Sequence, residues 1–195
     1  MKQFVFLYPI AKIFNYEIKN HVHKFDKAED KIYKKNYKLA LNACIDARYR
    51  QNGFSINYAI FDDCSISEII DIHPTDKIIK VGLDFKTHTT RKSDGTYPYP
   101  NQDFILDQLY VCRILRIAGF HMWDCVEKLA KKAYEKGFDV MVDEDLTEFF
   151  AWRFQKSDFS INTYPSPMPS ENDSFFYQSF IRARLNKPWL YQHKK

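Results

Sequence analysis

Glycine is scarce in this chain, with 5 among 195 residues. Few positions are therefore free to take left-handed backbone, and a sharp turn at a glycine carries information. Cysteine is sparse too. Cys44, Cys64, Cys112 and Cys125 show neither CxxC spacing nor the density of a small secreted scaffold, so reduced thiols in a cytosolic compartment are expected. Long apolar runs are missing. The stretch "MKQFVFLYPIAKIF" is interrupted by Pro9 and Lys12 and has no small-residue cleavage site after it, which points to a cytoplasmic protein with no membrane contact. Nor is there a block of one charge: 29 Lys and Arg offset 25 Asp and Glu for a net charge of +4. The lysines of "HKFDKAEDKIYKKNYK" and "KLAKKAYEK" are interleaved with acids, as on solvated helix faces and unlike a nucleic-acid patch. Internal repeats and low-complexity tracts are absent.

What is abundant is core-forming material. Hydrophobic residues make up 45% and aromatics 17%, with 17 Phe and 13 Tyr, enough for one domain to bury a sizeable core. "QFVFLYPI" predicts a first strand stopped by proline. Tyr33, Tyr37, Leu41, Cys44 and Ile45 recur at helical spacing, predicting a helix over 28–51 that Gly53 ends. "FSINYAIF" predicts a second strand leading into Asp62 and Asp63, and "KIIKVGLDF" a third reaching Asp84. A helix over 101–112 capped by Asn101, a strand "ILRIAGF", a helix over 124–137, a strand "FDVMVD" and a helix over 145–154 complete an alternating order. That order predicts an α/β three-layer domain, a Rossmann-like parallel sheet with helices on both faces, over residues 1–160. Residues 161–195 read as a Pro/Ser-rich linker, "TYPSPMPSEND", and a C-terminal helix. That helix groups Phe175, Phe176, Phe180 and Ile181 on one face, to pack on the domain or on a second subunit.

Sites in such sheets lie beyond the C-terminal ends of the strands. This singles out Tyr8 and Pro9, Asp62 and Asp63, Asp84, His121 to Cys125, and Asp143 to Asp145. In "AGFHMWDCVEKLAKKAYEKGFDVMVDEDLT", Asp124 is placed to cap a helix whose first turn holds Cys125. There, unpaired N–H groups and the helix dipole would stabilise a thiolate. Packing is the competing reading, since free cysteine is among the most buried residue types. His121 would sit at the mouth of the site. Met122 and Trp123 would wall a pocket or pack, and Glu127 would pair with Lys131 along the helix. No histidine has a cysteine partner at ligand spacing, so no metal or cofactor is implied.

The same segment resembles the nucleophile segment of the isochorismatase-like cysteine hydrolases. Gly119, Cys125, Val126, Ala133, Gly137, Val140 and Asp145 fall in step with it, and the order of elements over about residues 3 to 155 looks like that fold. The resemblance implies Cys125 as nucleophile and Lys80 ahead of Phe85 as the charge-stabilising lysine; Tyr8, Phe85, Met122 and Trp123 are the candidate substrate-binding residues. The resemblance also implies hydrolysis of a small amide, ester or vinyl ether. The family's base is an aspartate on strand one. "FVFLYPI" carries no carboxylate, so Asp62, Asp84, Asp124 or His121 would have to replace it.

Two other classes fit parts of the pattern. A catalytically silent module of the same fold would bind a protein partner or self-associate through its aromatic C-terminal helix. A magnesium-dependent nuclease of the PIN or NYN kind would gather Asp62, Asp63, Asp84, Asp124 and Asp143, but it also relies on an acid at the end of strand one.

Overall fold

The computed structural model describes residues 1–21, 27–109, 112–164 and 186–190. Five parallel strands form one sheet in the order β3-β2-β1-β4-β5: β1 Lys2–Leu7, β2 Phe54–Ile60, β3 Lys77–Lys80, β4 Ile114–Gly119 and β5 Asp139–Val142. Helices cover both faces of the sheet, the α/β arrangement that the alternating pattern predicts. Central β1 is accordingly apolar without alternation, and Phe4, Val5, Phe6 and Leu7 are all buried,. Its Leu7 pairs with Ala59 on one side and Gly119 on the other. Strands β2 and β4 thus flank β1, and the chain leaves all three at one edge, where such sheets open a crevice.

Gly119 is what lets β4 end so close to β1. Its φ is 128°, and a Cβ there would stand 2.4 Å from the Leu7 carbonyl oxygen and 2.7 Å from the Leu7 nitrogen. Both neighbours are backbone, so no side chain fits.

The helices are α1 Ala11–His21, α2 Lys27–Cys44, α3 Phe85–His88, α4 Gln102–Asp107, α5 Glu127–Glu135 and α6 Phe150–Arg153. Tyr37 of α2 joins the first layer, its ring 6.0 Å from Phe14 of α1 and 4.9 Å from Phe150 of α6. Lys132 of α5 and Lys136 just after it both pair with Asp103 of α4.

Several boundaries depart from the sequence reading. Helix α1 is not foreseen: Lys12, Asn15, Glu17 and Lys19 break its apolar run, although Ile13, Phe14 and Ile18 are buried at helical spacing,. The helix expected over 28–51 changes winding, with a π turn Ile45–Tyr49 and a 3-10 turn Arg50–Asn52 before Gly53 closes it at φ 75°. The wide turn buries Ile45, Arg48 and Tyr49 together,. Strand β3 stops at Lys80, and Phe85 starts a short helix instead of ending a strand. Asn101 caps α4 as expected, its side chain accepting from Asp103 N at 2.9 Å and Phe104 N at 3.3 Å. The expected helix over 145–154 is a 3-10 turn Glu144–Leu146 followed by α6.

The C-terminal helix read over 174–185 and most of the linker lie outside the described residues. Nearby, Leu190 is buried and its carbonyl accepts from Val142 N at 3.1 Å, beside β5. Among the described residues, no helix is long and apolar enough to cross a membrane.

Candidate functional site

Two non-glycine residues take left-handed backbone at adjoining strand ends: Tyr8 after β1, with φ 59°, and His121 after β4, with φ 61°. Side chains rarely adopt this conformation, and it persists only where the surroundings hold it. Tyr8 is held by its N–H on the Ala59 carbonyl at 2.8 Å and by its own carbonyl accepting from Ile10 N at 2.7 Å. His121 opens a π turn, Met122–Val126, that leads directly into α5. At its start Glu148 accepts the Met122 N–H with both carboxylate oxygens, at 3.0 and 2.8 Å.

Cys125 sits inside this turn and is 5% exposed. Two groups lie near its thiol. The Tyr8 hydroxyl has it as an electrostatic neighbour, and Asp124 Oδ2 lies 4.0 Å from Sγ. Asp124 does not cap α5, contrary to the sequence reading. Instead its Oδ2 accepts from the Tyr99 hydroxyl at 2.6 Å, while Oδ1 pairs with Lys128. The wider turn carries the carboxylate off the helix end and toward the loop that brings Tyr99. Lys128 Nζ also stands 3.2 Å from the centre of the Tyr99 ring, a cation–π contact,.

The electrostatics also run against the first-turn expectation. Burial pushes the Cys125 thiol up to about 12, and the neighbouring Asp124 charge adds to this against a smaller opposing effect of Lys128. Desolvation and an adjacent anion outweigh any contribution from the helix dipole. Tyr8 is likewise raised well above its ordinary value, first by burial and then by Cys125 and Asp124. Burial of Asp124 opposes its ionisation, but its bonds to Lys128 and Tyr99 prevail and hold it below the usual range.

A cavity of about 260 Å³ opens beside this turn. Lys12, Ile13, Tyr16 and Glu17 of α1 form one wall, and Tyr8, Phe61, Phe85 and His88 face them. His121 borders the cavity as well. Tyr8 is stacked on Phe61 at 4.5 Å, and Phe61 on His88 at 5.0 Å. Lys12 Nζ lies 5.1 Å from the Phe85 ring centre. Tyr8 therefore stands between the two, lining the cavity and lying next to Cys125 electrostatically. Glu17 is buried, and desolvation, reinforced by the charge of Glu148, raises its carboxyl to about 7. Sequence reading missed Glu17 because it missed α1. The available signal was an acid on the apolar face defined by Ile13, Phe14 and Ile18.

The other predicted residues are distributed unevenly. Phe85, Tyr8 and His121 meet at the cavity; Met122 is fully buried and Trp123 is 39% exposed with Lys187 above its ring, and neither lines it. Lys80 gives its ammonium to the carbonyls of Phe61, Asp62 and Cys64, at 3.3, 3.1 and 2.7 Å. Asp62 and Asp63 accept backbone N–H groups of Gly82 and Phe85 at 2.9 and 2.7 Å, so both shape the turn after β3. Asp84 precedes α3 without capping it through its side chain. Glu127 pairs with Lys187, in place of the expected Lys131, which pairs with Glu135.

Asp143 and Asp145 belong to a separate buried network. Arg48 donates from Nη1 to Asp143 at 2.9 and 3.0 Å and from Nη2 to Asp145 at 3.0 Å. Tyr49 donates to Asp143 at 2.5 Å, and Arg153 to Asp145 at 3.1 Å. Among the described residues, no three of His, Cys, Asp and Glu come together so as to hold a metal ion.

No protein-family model matches the chain, and no curated protein matches its sequence. Its fold is similar to several solved structures. An isochorismatase from Pseudomonas putida is 11% identical, with 95% of this chain and 84% of that one covered at a TM-score of 0.47. N-carbamoylsarcosine amidase from Thermoplasma acidophilum is 16% identical over 75% of this chain and 84% of that one, at 0.43. The MAR1 ribonuclease of Caenorhabditis elegans is 10% identical over 100% and 97%, at 0.42. Isochorismatase-family proteins are thus among the structures similar to this chain, and the same family is the one that its segment from Gly119 to Asp145 resembles.

Proposed function

We propose that this protein is a hydrolase of a small amide, ester or vinyl ether bound in the cavity between α1 and the C-terminal ends of β1, β2 and β4, with Cys125 as its nucleophile. The observation that supports the reading is the residue shared by cavity and thiol: Tyr8 lines the one and has the other as an electrostatic neighbour. With a pKa near 12, a free thiolate at pH 7 costs about 7 kcal/mol. Cys125 therefore attacks as its proton leaves, and Asp124 Oδ2 is the acceptor within reach of Sγ. On an amide or ester the Sγ–C bond forms, the leaving group departs with a proton, and water cleaves the thioester. In this scheme Lys80 steadies the end of β2, and Phe85 and Tyr8 hold the substrate. Self-association through the C-terminal segment is part of the proposal.

The raised thiol favours a second reading, in which the same cavity binds a small molecule without turnover. Hydrolysis of p-nitrophenyl acetate, benzamide and 2-methoxyacrylate by wild type, Cys125→Ser and Cys125→Ala separates the two. Turnover that disappears in both variants supports the nucleophile; turnover unchanged in Cys125→Ala rules it out. Absence of turnover in the wild type leaves the silent binding module.

A further inference from the structure

We infer that Glu17 is the proton-transfer group of the cavity, supplying from α1 the carboxyl that strand one lacks. The inference rests on the hydrolase reading and adds a residue to it.

Among the residues lining the cavity, Glu17 alone bears a carboxyl. It lines the cavity together with Tyr8, the residue that has the Cys125 thiol as an electrostatic neighbour. The acid nearer the thiol starts with no proton of its own to give, since Lys128 and Tyr99 hold Asp124 below the usual range, and its part is to carry the thiol's proton. Tyr8 is held protonated. Glu17 has the intermediate character that proton transfer needs, with a carboxyl at about 7, close to the pH at which giving and regaining a proton are balanced.

Charged and titratable groups near Glu17 come from several of the described elements. Lys12 and Tyr16 share its helix, and Tyr37 of α2 feels its charge. His121 and His88 border the same cavity, and Glu148 raises it from the segment before α6. Glu148 acts as a positioning residue. It holds the start of the Cys125 turn through the Met122 N–H and also keeps the Glu17 proton bound.

The step balances without any further reactant. The substrate's scissile bond to oxygen or nitrogen breaks, its electron pair goes to the leaving atom, and that atom takes the Glu17 proton. The water that completes hydrolysis bonds to the carbon and returns a proton to the Glu17 carboxylate, the Sγ–C bond breaks, and the thiolate takes back from Asp124 the proton it gave up on attack. Dependence on protonated Glu17 makes the rate fall as pH rises through about 7. A plain thiol nucleophile predicts the opposite slope, a rate that climbs toward high pH.

The test is the pH profile of kcat/KM between pH 5 and 9 for wild type, Glu17→Gln, Glu17→Asp and Glu148→Gln, on whichever of the three probes the wild type hydrolyses. Expected for Glu17→Gln is a loss on the order of 10²- to 10⁴-fold with the descending limb gone, partly restored by Glu17→Asp. In Glu148→Gln the limb moves to lower pH, because a like charge that raised the Glu17 carboxyl has been removed. Circular dichroism confirms that each variant is folded. Hydrolysis lost in Cys125→Ser but unchanged in Glu17→Gln overturns this inference and leaves the hydrolase reading intact. A rate that rises through pH 7 in the wild type also overturns it. No hydrolysis of any probe by the wild type removes both.

Discussion

Two sets of buried acids stand at the C-terminal edge of this sheet, and they are solvated by the protein in opposite ways. Asp143, after β5, is fully enclosed but receives two bonds from Arg48 and one from Tyr49. Burial raises its carboxyl and Arg48 opposes that. Glu17, at the crevice beside β1, has a second acid, Glu148, as a near electrostatic neighbour, and its carboxyl sits at about 7. Both are buried acids, yet one is bound by an arginine in the core and the other borders a cavity. Charged groups matched by arginine hold an edge together. An acid desolvated by burial, with a like charge adding to it, retains its proton, and a retained proton beside a cavity can be used.

The largest break in this contrast is removal of Arg48. Arg48→Met leaves Asp143 buried with no cation and frees the Ile161 carbonyl, which Arg48 Nε contacts at 3.0 Å. Loss of one partner from a buried pair costs about 3–5 kcal/mol, read as a lowered urea midpoint. A loss below about 1 kcal/mol would mean the network is not what secures β5.

Glu17→Gln gives a smaller effect of the other sign. The folded protein holds the Glu17 proton more tightly than the unfolded chain, whose carboxyl is near 4.5. Wild type therefore loses stability as pH rises from about 4.5 to about 7, and the penalty is complete above that range. Glutamine carries no such charge, so at pH 8 the variant is more stable by about 2 kcal/mol, after allowance for solvent near the cavity. At pH 4 the two are equal. A variant less stable than wild type at pH 8 contradicts the raised carboxyl.

The contrast also explains what sequence reading reaches and where it stops. The sheet was legible because its strands are short β-branched and aromatic runs separated by helical and turn patterns, and β1 is apolar at each of Phe4, Val5, Phe6 and Leu7. Gly119 was legible as a resemblance, and the structure adds the reason, a backbone approach of 2.4 Å. The site was read in part: Tyr8, Phe85 and His121 do meet. The partners of Cys125 were not readable, because a π turn after β4 and another after α2 shift side chains by a residue, and no periodicity of 3.6 foretells that. Asp124 thus leaves the cap it was assigned and joins Tyr99, 25 residues away. Glu17 escaped notice for a simpler reason. Its helix follows Pro9 and is dotted with charges, so only its partners reveal that it is a wall.

The finest probe of the Cys125 turn is Tyr99→Phe. Tyr99 gives its hydroxyl to Asp124 Oδ2, the same atom that lies 4.0 Å from Sγ, while its ring holds Lys128. Phenylalanine keeps the ring and removes the donor. The lost bond is half exposed, so stability should shift by less than about 1 kcal/mol. Its electrostatic effect is more specific. Without the hydroxyl, Asp124 loses one of the two side-chain bonds that hold it below the usual range, and Oδ2 turns its free lone pair to the thiol. The Asp124 charge that raises Cys125 is then less shared with Tyr99, so the thiol holds its proton more tightly, and iodoacetamide labelling of Cys125 at pH 8, read by mass spectrometry of the folded protein, falls while Cys44 stays unlabelled. Equal labelling in wild type and variant would mean that Asp124 and Cys125 are neighbours without being coupled, and the proton acceptor for the thiol would have to be sought across the cavity.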